Sequence, residues 1–87
     1  METGYNGWKN RQTWNVALWI NNDEPTYREA CAIMNNRLQA GHGHVGSYRK
    51  FVLDLGLKGQ KTPDGVAWMS PELDYEALDG MMAEMVG

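Results

Sequence analysis

A block near the start of the chain, residues 5–20, constrains the fold more than any other stretch. It holds three of the four tryptophans, Trp8, Trp14 and Trp19, interleaved with Asn6, Asn10, Gln12 and Asn15 and with the cations Lys9 and Arg11. From about Arg11 to Asn21 the apolar positions follow a helical period. Trp14 and Leu18 share one stripe, and Val16, Trp19 and Ile20 fill an adjacent one. A helix apolar over more than half its circumference belongs at the centre of a fold. Asn10 suits its N-cap, because a short amide can accept from a backbone N–H two or three residues on. Asn21, Asn22 and Asp23 close it. Ahead of it, residues 1–9 read as an extended lead-in with a turn at Asn6-Gly7.

The rest of the chain reads as helices packed around that block. Asp23 or Asn22 caps a second helix over 24–40, with Pro25 in its first turn and Glu24 and Glu29 near its positive end. Tyr27, Ala30/Cys31, Met34 and Leu38 recur at helical spacing, and Gly41 ends the run. Residues 41–46 form a loop on glycine content. Ser47 is placed to cap a third helix over 48–56, whose Tyr48, Phe51, Val52 and Leu55 line one face; Gly56 or Gly59 ends it. Residues 58–70 are a short irregular segment with a turn at Thr62-Pro63-Asp64-Gly65. Within it Val66 to Met69 is an apolar patch, strand-like or irregular. Asp74 or Ser70 caps a last helix over 74–86, with Tyr75, Leu78, Met81/Met82 and Met85 inward and Glu72, Glu76, Asp79 and Glu84 outward. The expectation is an all-α, single-domain bundle of four short helices spanning residues 1–87.

Composition narrows the class. A hydrophobic content of 43% with four Trp and four Tyr in 87 residues indicates a folded unit with one small core. Net charge is only -3, but residues 1–50 carry six Lys/Arg against four Asp/Glu, while residues 51–87 carry two against seven. Such halves can attract one another within one fold or between copies, so a homodimer is an open expectation. The single cysteine, Cys31, excludes an internal disulfide and a multi-cysteine metal site. The first twenty residues lack the basic start and apolar run of a secretory signal, and no apolar run nears the roughly 20 residues that span a bilayer. A cytoplasmic protein with no membrane contact is expected.

Candidate chemistries compare poorly with their structural alternatives. His42 and His44 could share a metal ion, but a glycine-rich loop presents them without a second pair. Cys31 lies on an apolar stripe about 11 residues from the nearer histidine, on the order of 15 Å along a helix, and reads as a small core residue. The carboxylates of the last helix spread outward rather than converge on a cleft as paired acid/base catalysis requires. No phosphate-cradling loop is present. Met69, Met81, Met82 and Met85 read as core filling or as an adaptable contact surface. No enzyme activity, cofactor or metal is expected. The opening block itself has three readings: an aromatic core with its polar N–H groups satisfied by Asn6, Asn10, Asn15 and Gln12, a protein-contact hot spot, or a stacking and phosphate-binding surface for nucleic acid.

The run Asn6-Gly7-Trp8-Lys9-Asn10-Arg11-Gln12-Thr13-Trp14-Asn15-Val16-Ala17-Leu18-Trp19-Ile20 resembles the N-G-W-x-N-x-x-T-W-x-V-x-L-W signature of small proteins from bacteriophages and other mobile elements. The match covers residues 5–23, with a weaker second one at Leu73-Asp74-Tyr75-Glu76-Ala77-Leu78. The resemblance implies an origin rather than an activity: a protein made inside a bacterial host, of a kind that commonly binds and inhibits a host enzyme or defence complex. On this reading Tyr5, Trp8, Lys9, Arg11 and Trp14 form the partner-binding surface. The alternative is a small nucleic-acid-binding regulator that uses the same block.

Overall fold

The computed structural model describes residues 7–86, and shows an all-helical fold of four helices. These are α1 (Arg11–Asn22), α2 (Glu24–Gln39), α3 (Ser47–Asp54) and α4 (Tyr75–Met85). Each lies within about two residues of its expected bounds. The Asn6-Gly7 turn and most of the lead-in fall outside the described residues.

Helix α1 begins as its sequence predicts: Asn10 is extended (φ -152°, ψ 174°) and its side chain accepts from the Thr13 backbone N–H. Its buried stripe differs from the expected one. Thr13, Val16, Ala17 and Ile20 face the core, while Trp14, Leu18 and Trp19 are half-buried. The bulky rings are too wide for the close approach of α1 to its neighbours, and the small and β-branched positions at i, i+3, i+4 and i+7 take it. Asp23 serves two helices. Its backbone N–H closes α1 on Trp19, and its carboxylate caps α2 at Thr26. A one-residue joint holds these two helices against each other.

In α2 the inward stripe is Ala30, Ile33 and Met34. Leu38, expected to continue it, is 47% exposed. Arg37 turns inward instead, gathering the 41–46 loop on its own side by donating to the carbonyls of Gly43 (3.2 Å) and Val45 (2.7 Å). Both α2 and α3 end in Schellman turns. His42 N–H reaches Arg37 C=O at 2.8 Å, and Leu57 N–H reaches Val52 C=O at 2.9 Å.

The start of α3 corrects the expected Ser47 cap. Gly46, at φ 83°, takes the N-cap position, and Ser47 already lies inside the helix with its hydroxyl buried and unpartnered. The left-handed conformation that only glycine adopts cheaply begins the helix one residue early. The cap comes from elsewhere. Asp79, expected to face outward on α4, is buried, and its carboxylate accepts from the backbone N–H of Gly46 (2.8 Å) and of Tyr48 (2.9 Å). A carboxylate at a helix N-terminus satisfies donors that have no partner within the helix.

Residues 60–68 are more ordered than the expected irregular segment. A narrow antiparallel turn is closed by Thr62 N–H to Val66 C=O (2.7 Å) and Trp68 N–H to Gln60 C=O (3.1 Å), with a bridge between Lys61 and Ala67. Gly65, at φ 89°, supplies the left-handed residue this three-residue loop needs. Alternation then puts Val66 and Trp68 into the core. There Phe51 and Trp68 meet edge-on at 6.3 Å, and Tyr48 packs against Phe51 and Tyr75. The Tyr48 hydroxyl donates to the Trp68 carbonyl, and its burial raises the phenol well above its ordinary acidity range. Val16, Ile20, Ala30, Met34, Val52, Leu73, Leu78 and Met82 complete the core. Among the described residues no helix is long and apolar enough to cross a membrane.

Candidate functional site

Asn10, Thr13 and Asn15 of the opening block are used by the fold. Asn10 accepts from the Thr13 hydroxyl at 2.7 Å and donates to the Glu72 carbonyl at 2.8 Å. Thr13 in turn accepts from the Asp74 backbone N–H at 3.0 Å. Asp74 then caps α4 by accepting from Ala77 N–H at 3.2 Å. Two residues at the start of α1 therefore fix where α4 begins.

One turn further along α1, a second clasp holds the narrow turn. The buried Asn15 accepts from the Thr62 hydroxyl at 2.7 Å and donates to the Asp64 carboxylate at 2.8 Å. Trp19 donates its indole N–H to the same carboxylate oxygen at 2.9 Å. These two hydrogen bonds, aided by the Arg11 charge, hold the Asp64 carboxyl below its ordinary value despite some opposing desolvation.

The expected partner-binding residues differ in exposure. Trp8 is half-buried and packed against the core, and Lys9 and Arg11 are exposed. Trp14 is half-buried, three residues beyond Arg11 and so on the same side of α1. Tyr5 lies outside the described residues. Trp8 also lines a cleft of about 340 Å³ with Gly7, Ala77, Gly80, Met81 and Glu84 of the lead-in and α4. Lys9 and Arg11 thus adjoin half-buried indoles along the chain, and one α4 carboxylate, Glu84, lines the cleft with Trp8.

The other candidates stand apart from this end. His42 and His44 are exposed on the 41–46 loop, which Arg37 and Asp79 pin from either side. Cys31 is half-buried rather than in the core, and its charge and hydrogen bond push up the phenol of Tyr27 one turn earlier. Among the described residues no three His, Cys, Asp or Glu side chains are grouped to hold a metal ion.

Sequence reasoning missed the Asp79 cap, the Asn15–Thr62–Asp64 clasp and the cleft beneath Trp8. Only the clasp left a local sign: Asn15 stands between the apolar Trp14 and Val16 of α1, which is where a buried polar side chain with a distant partner is found.

A family model matches residues 1–86, nearly the whole chain. The chain belongs to DUF7249, a family of unknown function. No curated protein and no solved structure matches it. Within this DUF7249 chain the match takes in both clasps, the cleft and the exposed cations between them.

Proposed function

We propose that this DUF7249 protein is a non-enzymatic, phage-type protein of the bacterial cytoplasm that binds and modulates or inhibits a host protein or defence complex. The observation that carries the reading is the division within the opening block. Asn10, Thr13, Asn15 and Trp19 are committed to internal hydrogen bonds, whereas Lys9 and Arg11 are exposed on either side of Asn10 and follow the half-buried Trp8. Aromatic and arginine side chains on a rigid support are the residue types that dominate protein–protein contact energies. The resemblance of residues 5–23 to mobile-element proteins supports the origin.

The test is capture from host lysate with tagged protein. A partner retained by the wild type and lost by the Trp8→Ala/Arg11→Ala variant supports the reading. A wild type that retains nothing the variant loses overturns it.

The second reading, nucleic-acid binding through Lys9 and Arg11, gains from their exposure beside aromatic rings. It loses from Asp64, whose carboxylate lies within the field of Arg11, and from the carboxylate in the neighbouring cleft. It predicts binding that falls steeply with salt as counterions are released. An anisotropy titration at low salt that shows no response dismisses it.

A further inference from the structure

The cleft between Trp8 and α4 contains one residue, Gly80, that packing within the described residues does not explain. Its lining joins an indole (Trp8), a thioether (Met81), a carboxylate (Glu84) and two positions with almost no side chain, Ala77 and Gly80. Gly80 sits in the middle of α4, where glycine is a poor helix former relative to alanine. Its backbone has ordinary helical dihedrals, and a Cβ built on it would meet nothing within 4 Å. No neighbour in the chain requires a glycine there. Its visible effect is to leave the floor of the cleft open.

Among its lining residues the cleft carries one charge, and it is negative. Glu84 lines it, and Glu76 is exposed one turn before Gly80 on the same helix. Helix α4 carries no Lys or Arg. The two ion pairs among the described residues, Arg28–Glu24 and Lys50–Asp54, lie on α2 and α3. An exposed carboxylate outside those ion pairs, lining one cleft with an indole packed against the core, is complementary to a cation: the indole draws it by its quadrupole and the carboxylate by its charge. A volume of about 340 Å³ admits a single long side chain.

Resting on the protein-binding reading, we propose that this cleft receives one arginine or lysine side chain of the partner protein, seated between Trp8 and Glu84 over Gly80. The partner's surface is therefore basic at the point of contact. This orients the complex, because the exposed Lys9 and Arg11 beside the cleft then meet a different, acidic or apolar part of the same partner.

The probe is the tripeptide acetyl-Gly-Arg-Gly-amide, compared with its neutral citrulline analogue, titrated into the full chain and followed by the Trp8 indole and the Gly80 and Glu84 amide resonances. The arginine peptide should shift all three signals saturably, on the order of millimolar for one isolated side chain, and the citrulline peptide should not. Glu84→Gln should weaken the response about two- to fivefold. Gly80→Ala should raise the melting temperature while weakening the response, a combination that a damaged fold cannot produce. Equal shifts with citrulline, no shift at Trp8, or undiminished binding by Gly80→Ala would overturn the proposal. So would shifts at Trp8 and Gly80 that follow protein concentration without peptide, since a second copy would then be the occupant. A lysate partner lost by the Trp8→Ala/Arg11→Ala variant, together with a silent peptide titration, would overturn the cleft and leave the binding reading standing.

Discussion

The Asp79 carboxylate on α4 accepts the backbone N–H of Tyr48, the second residue of α3, at 2.9 Å, and so ties two helices together through residues 31 positions apart in sequence. The same carboxylate takes the Gly46 N–H, so α3 borrows its cap from another helix. Asp79→Ala leaves two donors in a buried setting without acceptors. It should cost about 1.5–3 kcal/mol, the range for hydrogen bonds to a charged group. Urea denaturation measures this as a lower midpoint at unchanged slope. Asp79→Asn keeps one acceptor oxygen and should recover part of the loss.

Asn15 makes the corresponding bond between α1 and the narrow turn. Asn15→Ala strands the buried Thr62 hydroxyl and one lone-pair direction of Asp64. The expected loss is about 1–3 kcal/mol, again by urea denaturation. Asn15→Asp should be worse than alanine, because it places a second carboxylate against Asp64.

Acid should loosen this clasp in a defined direction. Asp64 is a stronger acid in the fold than its ordinary value of 3.8, chiefly through the hydrogen bonds from Asn15 and Trp19. A carboxyl with a lowered folded value contributes stability that is fully present above its unfolded value and lost as pH falls through the folded one. Stability should therefore drop below about pH 3.8 more steeply in the wild type than in Asp64→Asn. Parallel acid titrations of the thermal midpoint supply the comparison. Equal slopes would show that Asp64 is not held as described.

Gly80 makes a prediction about the helix alone. Since a Cβ there meets nothing within 4 Å, Gly80→Ala should stabilise the protein by about 0.5–1 kcal/mol through helix propensity. Calorimetry that finds it less stable would mean that close packing, not an open floor, selects the glycine.

The helix boundaries were legible because local rules set them. Asn10, Asp23, Pro25 and Asp74 act within three residues of their own positions. The turn at Thr62-Pro63-Asp64-Gly65 was equally visible, since Gly65 carries its conformation by itself. What escaped depends on pairing across the chain. Asp79 has the same local pattern as Glu76 and Glu84, and nothing near it reveals that α3 begins within its reach. The inward stripe of α1 was misplaced because periodicity ranks Trp14 and Leu18 as more apolar than Thr13. Yet the hydroxyl of Thr13 is satisfied only once Asn10 and Asp74 are in place. Of the candidate site, the exposed Lys9 and Arg11 were readable from charge. The cleft under Trp8 was not, because its other wall lies some seventy residues away in α4.

The division of the opening block is tested most directly by measuring thermal midpoint and partner capture together for two variants, Asn15→Ala and Lys9→Ala/Arg11→Ala. Lys9 is exposed, and Arg11 acts on the Asp64 clasp only through an exposed charge, an effect of no more than about 1 kcal/mol. The double variant should therefore melt with the wild type and lose the captured partner, while Asn15→Ala melts lower and, below its midpoint, still captures it. The reverse pattern, capture that survives loss of both cations but fails in a folded Asn15→Ala, would contradict the account.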